Sequence, residues 1–390
     1  MPGTNPWRGT LSALSALLVG IGLARFAYTP LFPALVTNGW FTATQAAYLG
    51  AANLVGYLAG ALLARRIATL TSTQFALRWG MVLASASFFA CAEPQILPWP
   101  YAWFFLWRFA SGLSGGVLMV LAAPTVLLFV PPSRQGLAGG MIFAGVGLGI
   151  ALSGTLIPQT LVYGLSETWA ILGGLALLLT AVAWHGWPAT NLEAATEARK
   201  VAKPPSSWAL KSLYLEYCLN SAGLIPHMVF LVVFIAQGLS RGLLVGAYYW
   251  IAFGIGAVFG PLSVGYLADK IGVLSALRLG YGMQAAFVGI LFFTDNTVVL
   301  ILSSIIMGAF VPGCTTLVLA RLRELIPGNT AAQTGGWGLA TTAFAVGQAG
   351  GAYSLSYLFD LSGNYTWLYA CGAGAIASAL MLNLAMGHRR

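Results

Sequence analysis

Charged residues are scarce in this sequence, and their scarcity excludes a soluble globular fold. Asp, Glu, Lys and Arg make up 7% of the 390 residues, whereas soluble domains carry about 25%. Hydrophobic residues make up 58%, and the mean hydropathy is +0.82. A water-soluble fold cannot bury this much apolar surface, so we expect an integral membrane protein.

The sequence also lacks the short alternating segments of a membrane β-barrel, whose strands alternate over about ten residues. Its apolar runs are long and continuous, and a helix needs about 20 apolar residues to cross the hydrocarbon core. The runs predict an all-α integral membrane protein with twelve transmembrane helices. The predicted spans are residues 10–36, 43–64, 75–92, 101–130, 136–160, 167–186, 209–236, 243–267, 272–293, 297–319, 331–357 and 364–386.

Motifs of catalysis and metal binding are missing as well. The three histidines are far apart in sequence, and the chain contains no HExxH or GxSxG motif. An enzyme would need close catalytic pairs or metal ligands. The four cysteines match no metal or disulfide spacing: Cys91, Cys218, Cys314 and Cys371. We therefore expect neither an enzyme nor a bound metal or cofactor.

The basic residues alternate with the predicted spans. If the N-terminus is cytoplasmic, the cytoplasmic segments contain Arg8, Arg65, Arg66, Arg78, Arg134, Arg199, Lys200, Lys203, Lys211, Lys270, Arg278, Arg321, Arg323, Arg389 and Arg390. The opposite loops contain Arg241 and the acids Glu93, Glu167, Asp295 and Asp360. This is the positive-inside asymmetry. It accounts for the net charge of +9 without nucleic acid, and it predicts that both termini are cytoplasmic.

The chain divides in the middle. Residues 187–208 are polar and include a Pro pair, which predicts a cytoplasmic linker between an N-terminal six-helix bundle (1–186) and a C-terminal one (209–390). Residues 1–24 imitate a signal peptide, but the apolar run continues to Leu35 without a convincing cleavage site. We therefore expect this segment to remain as the first span.

The two halves share small-residue patterns at an offset of about 200 residues. Gly56-x-x-x-Gly60 in span 2 corresponds to Gly256-x-x-x-Gly260 in span 8. Such glycines let helix backbones approach closely, so we assign them to helix packing. The common offset predicts two pseudo-symmetric six-helix bundles. Parallel halves of this kind suit alternating access, with a binding site between them near the midplane.

Several segments resemble the major facilitator superfamily. The loop GYLADKIG (265–272) is similar to the family's G-x-L-a-D-R/K-x-G loop, although ALLARRIA (61–68) has arginine where the family expects aspartate. GIGLARFAYTPLFPAL (20–35) and GQAGG (347–351) resemble the YbfB/YjiJ-like branch. The resemblance implies a monomeric secondary transporter of the bacterial inner membrane. Contacts of the two loops are expected to latch one conformation through Gly265, Asp269, Lys270, Arg65 and Arg66.

Two arginines lie inside predicted spans, where charge is costly. Arg25, near the middle of span 1, is expected to bind an anionic group of the substrate; alternatively it pairs with carbonyls freed by Pro30 and Pro33, or snorkels. Arg108 matches the family's R-x-x-x-G pattern, which suggests a second anion contact or a coupling switch; alternatively it snorkels to the aromatic interface. Because no acid lies inside a first-half span, an anionic solute is favoured.

Span 7 contains the candidates for proton coupling, Glu216 and His227. An imidazole with an ordinary pKa of about 6.5 takes up protons near working pH, and a buried carboxyl can carry a proton. His227 is the favoured coupling residue. Alternatively, Glu216 pairs with Lys211 or another base near the cytoplasmic end of the span, and His227 is a hydrogen-bonded packing residue.

The predicted function is proton-coupled transport of a small anionic organic solute through a cavity lined by spans 1, 4, 7 and 10. Helix breaks at Pro30/Pro33, Pro124, Pro226 and Pro312 are expected to face this cavity. Further expected substrate contacts are Tyr28, Asn53, Asn220 and Gln348. Two alternatives stay open, a non-transporting receptor or scaffold on the same fold and a drug-efflux exporter of neutral or cationic compounds.

Overall fold

The computed structural model describes residues 6–93, 98–131, 134–188 and 206–386. Most of the predicted linker, 189–205, and the terminal Arg389 and Arg390 lie outside the described residues. Within the described ranges the chain is helical and contains no strand.

Twelve long helices run through the described part of the chain. They are α1 (Trp7–Thr37), α2 (Ala43–Leu70), α3 (Thr73–Ala92), α4 (Pro100–Leu127), α5 (Gln135–Thr160), α6 (Leu165–Ala183), α7 (Trp208–Gly238), α8 (Leu243–Ile271), α9 (Val273–Phe292), α10 (Thr297–Leu325), α11 (Thr330–Ser362) and α12 (Thr366–Met386). Eleven are long and apolar enough to cross a membrane. The other, α11, has 33 residues but begins with the polar stretch TAAQTGG.

Glycines bring one helix pair of each half into backbone contact, α2 with α4 and α8 with α10. A Cβ at Gly112 of α4 would overlap the carbonyl group of Asn53 in α2, and a Cβ at Gly308 of α10 would overlap that of Phe253 in α8. The predicted packing role of the glycine repeats is confirmed, because Gly56, Gly60, Gly256 and Gly260 lie against partner-helix carbonyls in the same way. Both halves therefore contain the same rigid crossing.

The two halves meet along α5 and α8 and along α2 and α11. We call the membrane face that carries Arg8, Arg65 and Lys270 the basic face, and the face that carries Arg241 and Asp360 the opposite face. On the opposite face, α1 packs on α7: the Gln237 amide donates to the Pro33 carbonyl at 3.3 Å, and Thr29 Oγ1 donates to the Met228 carbonyl. These contacts join the two halves between the centre and the opposite face.

Helix breaks occur in α1 and α7. In α1, a π-helical segment, Leu18–Leu23, is followed by a turn before Tyr28. Because Pro30 has no N–H, the Phe26 carbonyl accepts instead from Thr29 N. In α7, π-helical segments cover Pro226–Phe230 and Phe234–Gly238. The breaks expected near Pro30 and Pro226 are thus present.

The breaks expected at Pro124 and Pro312 are wrong, since both prolines lie within continuous helices. Threonine hydroxyls after each proline bond back to carbonyls one turn earlier: Thr125, the residue after Pro124, donates to Leu121 at 2.6 Å, and Thr316, one turn after Pro312, donates to the Pro312 carbonyl at 3.1 Å. In a membrane helix, side-chain hydroxyls and neighbouring helices support the backbone around a proline. One proline therefore does not interrupt these helices.

Candidate functional site

A small cavity of about 40 Å³ lies between the halves. It takes lining residues from the predicted helices α1, α4, α7 and α10, and also from α2, α5 and α11. Its lining residues are Ile21, Arg25, Phe26, Tyr57, Met119, Phe143, Val146, Met228, Val311, Pro312, Thr315, Phe344 and Gln348. The position at the interface of two bundles is the one that alternating access requires.

Arg25 is the charged residue of this cavity. Its side chain is 9% exposed and lies after the π-helical segment of α1. The guanidinium stacks near the rings of Phe26 and Tyr57, with 5.2 and 5.3 Å from Cζ to the ring centroids. Its hydrogen-bond contact is the Met228 sulfur, 4.0 Å from Nη2. Among the described residues it therefore has neither a carboxylate partner nor a carbonyl acceptor.

Met228 connects Arg25 to the second half. The Sδ atom also lies 3.6 Å from Nε2 of Gln348 in α11. The other amide atom of Gln348, Oε1, is buried without a hydrogen-bond partner. A thioether is a weak acceptor, so the Arg25 guanidinium and the Gln348 amide both have weak hydrogen-bond partners in the cavity.

Arg108 points into the first bundle, so the alternative that it snorkels to the interface is wrong. Its side chain is 3% exposed, and Nη1 donates to the Ala24 carbonyl at 2.7 Å. That carbonyl belongs to the broken segment of α1, next to Arg25. The guanidinium also stacks on Tyr28, 4.3 Å from Cζ to the ring centroid. Arg108 thus fixes the α1 break, one residue from the cavity arginine.

Asn53 belongs to the same network. Its Nδ2 donates to Ser111 Oγ at 2.7 Å and to the Arg108 carbonyl at 3.2 Å. Asn53 and Tyr28 line a smaller void together with Arg25 and Arg108. The Tyr28 hydroxyl itself donates to the Ala46 carbonyl at 2.6 Å. Of the predicted substrate contacts, Arg25 and Gln348 are in the central cavity, and Arg108, Asn53 and Tyr28 support the wall behind it.

We expect Asn53→Leu to lower the stability of the folded protein by roughly 1–3 kcal/mol, because buried acceptors lose their donor. Thermal unfolding of the purified protein in detergent would measure this, with the exposed Asn38→Leu as the matched control. An unchanged melting temperature combined with weaker transport would instead place Asn53 in direct contact with solute.

Two other predicted residues lie away from the cavity, inside the second bundle. Asn220 Nδ2 donates to Gln284 Oε1 at 3.1 Å. His227 is fully buried, and its Nε2 is 2.8 Å from Ser303 Oγ. Because the Ser303 hydroxyl donates its proton to the Phe287 carbonyl, Nε2 must be the donor to Ser303. His227 Nδ1 has no partner among the described residues, so a second ring proton would find no acceptor there.

Glu216 lies in a different setting, beside a cavity of about 620 Å³ on the basic face of the second bundle. Its side chain is 3% exposed. Oε1 accepts from Ser212 at 2.6 Å, and Oε2 accepts from Asn383 at 2.7 Å. Asn383 in turn accepts from Arg278 at 2.9 Å. Glu216 makes no ion pair with Lys211 among the described residues; Asn383 instead links its carboxylate to another base, Arg278.

The predicted latch residues are all near the basic face. The guanidinium of Arg65 lies beside Gly338 of α11, so it bridges the two halves. The Lys270 ammonium lies over the Tyr266 ring, 5.5 Å from its centroid. Asp269 is exposed and makes no hydrogen bond or ion pair within the described ranges. Arg66 is exposed, and Gly265 adjoins open space. The role of these residues as a latch stays a prediction.

Sequence reasoning missed two residues that the cavity places next to Arg25. Tyr57 lies between the glycines of α2, where the pattern indicates only packing. Met228 follows Pro226 and His227 in the broken part of α7. The break was a usable signal, because it contains Met228, which lines the central cavity. The break does not indicate which of its side chains faces the cavity.

Known structures share this architecture. The structure described as "Crystal structure of D-xylose-proton symporter" aligns over 97% of this chain and 96% of its own, with 15% identity and a TM-score of 0.74. A partially occluded inward-open conformation of the xylose transporter XylE from E. coli aligns over 99% and 98%, with 16% identity and a TM-score of 0.75. At this identity the likeness concerns the fold. The comparison with curated protein sequences gives no match.

The family match and the shared fold make this chain a multi-pass membrane transporter of the major facilitator class, not an enzyme. The family model described as "Uncharacterised MFS-type transporter YbfB" matches residues 17–384. The chain therefore belongs to that family.

Proposed function

We propose that the protein is a secondary active transporter that moves a small anionic organic solute by alternating access, coupled to protons. The observation that carries the proposal is the Arg25 guanidinium, which borders the cavity between the halves and has no carboxylate partner among the described residues. A guanidinium binds carboxylate or phosphate through a planar fork of donors. A solute carboxylate would supply the missing negative charge.

The surroundings of Arg25 support an anion over a neutral or cationic compound. Arg108 is a second cation close behind, at the α1 break. Its Nη1 donates to the Ala24 carbonyl and its guanidinium stacks on Tyr28, so it also has no carboxylate partner among the described residues. A cationic drug at this cavity would meet two like charges without a compensating acid. Like charges in a low-dielectric interior repel strongly, so the drug-efflux alternative is disfavoured.

The charge distribution gives the orientation. We infer that the basic face is cytoplasmic, because Arg and Lys are enriched in cytoplasmic loops, and that the protein is a monomer of the bacterial inner membrane. Helices α1 and α7 are hydrogen-bonded to each other between the cavity and the opposite face. In this arrangement the solute would exchange with the cytoplasmic side.

Transport of labelled carboxylates into proteoliposomes tests the proposed function, with protein-free liposomes as the reference. Each carboxylate is compared with its own amide, which keeps the shape and removes the charge. We expect protein-dependent counterflow of carboxylates and neither transport of nor competition by the amides. Equal transport of acid and amide would refute the anionic solute, and absence of any solute movement would support the receptor or scaffold alternative.

Glu216 is the group that we propose for proton coupling, in preference to His227. Its carboxyl adjoins a cavity on the basic face and is linked to Arg278 through Asn383, whereas the imidazole of His227 is enclosed in the second bundle. We expect Glu216→Gln to abolish stimulation by a pH gradient while solute exchange continues, because the amide resembles a permanently protonated acid. His227→Asn is the matched comparison and should keep its response to the gradient. The reverse pattern would assign coupling to His227.

A further inference from the structure

The Met228 sulfur occupies the place in the central cavity where polar contacts from both halves converge. Arg25 approaches it from α1 at 4.0 Å, and Gln348 approaches it from α11 at 3.6 Å. Since both polar heads reach one atom, the distance between them cannot exceed the sum of these two lengths. A single small molecule can therefore contact both.

The two heads offer different chemistry to a ligand. The guanidinium of Arg25 is a charged donor that suits a carboxylate. The amide of Gln348 gives its donor to a weak acceptor and leaves Oε1 buried without a partner. An unpaired buried acceptor costs roughly 1–3 kcal/mol, so a hydroxyl donor on the ligand would relieve that cost. The pair thus suits a carboxylate with a hydroxyl on a nearby carbon.

The remaining wall limits how polar the rest of the ligand can be. It is largely hydrophobic and includes Ile21, Phe26, Phe143, Val146, Val311 and Phe344. The Thr315 hydroxyl is already engaged, since it accepts from Tyr217 at 2.9 Å and donates to the Val311 carbonyl at 3.1 Å. Apart from Arg25, Gln348 and Thr315, the Tyr57 phenol is the remaining polar side chain among the described lining residues, so a second carboxylate or several further hydroxyls on the ligand would be buried without partners, which is costly.

We propose that Arg25 and Gln348 form a two-point clamp for a hydroxy-monocarboxylate with an apolar body, and that Met228 fills the clamp until the solute displaces its sulfur. This inference rests on the proposed function, since it names the class of anion that the transport site takes. In this arrangement Gln348 selects solutes that carry the hydroxyl, and the Met228 sulfur contacts both polar side chains when no solute is bound. Sugar acids and dicarboxylates are excluded by the same wall.

Binding to the full-length protein in lipid nanodiscs, measured by isothermal titration, tests the clamp. The probes are 2-hydroxy-4-methylpentanoate, its deoxy analogue 4-methylpentanoate, gluconate and succinate. We expect the hydroxy acid to bind about 10-fold more tightly than the deoxy acid, which corresponds to one hydrogen bond to an otherwise unpaired buried group. Gluconate and succinate should not compete. Equal affinity for the first two probes, or competition by the last two, would overturn the inference.

Two variants locate the effect. Gln348→Leu should lower the affinity for the hydroxy acid to that for the deoxy acid and leave the deoxy acid unaffected. Met228→Leu keeps the side-chain volume and removes the sulfur, so both acids should bind several-fold more tightly because they displace no internal contact. Gln74→Leu, whose amide bonds the Trp187 carbonyl on the basic face, should change neither affinity. Melting curves without ligand establish that each variant is folded.

The outcomes separate the clamp from the proposed function. If Gln348→Leu weakens both acids equally, or Met228→Leu weakens both, the clamp is wrong, while carboxylate counterflow with the amides excluded would still support anion transport. If wild-type protein binds neither acid, the named solute class is wrong, and the counterflow comparison of acids with amides decides the function independently.

Discussion

Replacing Arg25 by glutamine is expected to lower kcat/KM for a transported carboxylate by about 100-fold. A hydrogen bond to a charged group contributes roughly 1.5–3 kcal/mol, and each 1.4 kcal/mol corresponds to a factor of ten. Among the described residues that line the cavity, no other is cationic, so none can replace Arg25 in binding the carboxylate. Initial rates of counterflow in proteoliposomes over a range of solute concentrations give kcat/KM for each variant.

Two further variants distinguish the charge of Arg25 from its shape. Arg25→Lys keeps the charge but loses the fork, so an intermediate loss is expected. Arg78→Gln is the matched control, because Arg78 donates to the Trp184 carbonyl at 2.8 Å near the basic face, outside the cavity. Loss of transport in Arg78→Gln comparable to that in Arg25→Gln, or full activity of Arg25→Gln, would contradict a direct role for Arg25.

Gly112→Ala is expected to prevent folding of the first bundle. The added Cβ would overlap the Asn53 carbonyl in α2, so it can be accommodated only if two helix backbones move apart. Overpacking in a rigid core costs typically 1–3 kcal/mol, and backbone overlap costs more. Separated helices would also lose the close packing that holds membrane bundles together. Size-exclusion chromatography of the detergent-solubilised protein would show loss of the monodisperse peak.

The corresponding change in the second half, Gly308→Ala, should have the same effect, because its Cβ would overlap the Phe253 carbonyl. Gly374→Ala in α12 is the control, since its Cβ would meet no atom within 4 Å. A folded Gly112→Ala protein with a normal melting temperature would show that the crossing of α2 and α4 is not rigid.

Much of the helical fold could be predicted from the sequence, because the lipid environment leaves few alternatives for long apolar runs. Span 5, predicted at 136–160, is observed at Gln135–Thr160. The error lies at the ends that enter water: span 10, predicted to end at residue 319, continues to Leu325. An apolar pattern stops where the hydrocarbon stops, whereas helical hydrogen bonding continues past it. Hydropathy alone therefore does not predict the residue at which such a helix ends.

The candidate site could be predicted only in part. Arg25 stood out because a charge is rare at mid-span, and the structure places it in the central cavity. The surroundings of His227 could not be predicted, since one residue of rotation on α7 decides between the cavity and the bundle interior. Met228, one position later, takes the cavity side. The π-helical turns of this segment shift the angular register, so an ideal helical wheel misplaces both side chains.

The division between locked and broken helices has a mechanical consequence. Backbone contact through glycines makes the α2–α4 pair and the α8–α10 pair rigid. Helices α1 and α7, in contrast, are interrupted at the depth of the central cavity. The contact between α1 and α7 on the opposite face comes from the segments that follow these interruptions. Bending at these breaks can therefore separate α1 from α7 on the opposite face without disturbing either glycine-packed pair, and Arg25 lies two residues after the π-helical segment of α1.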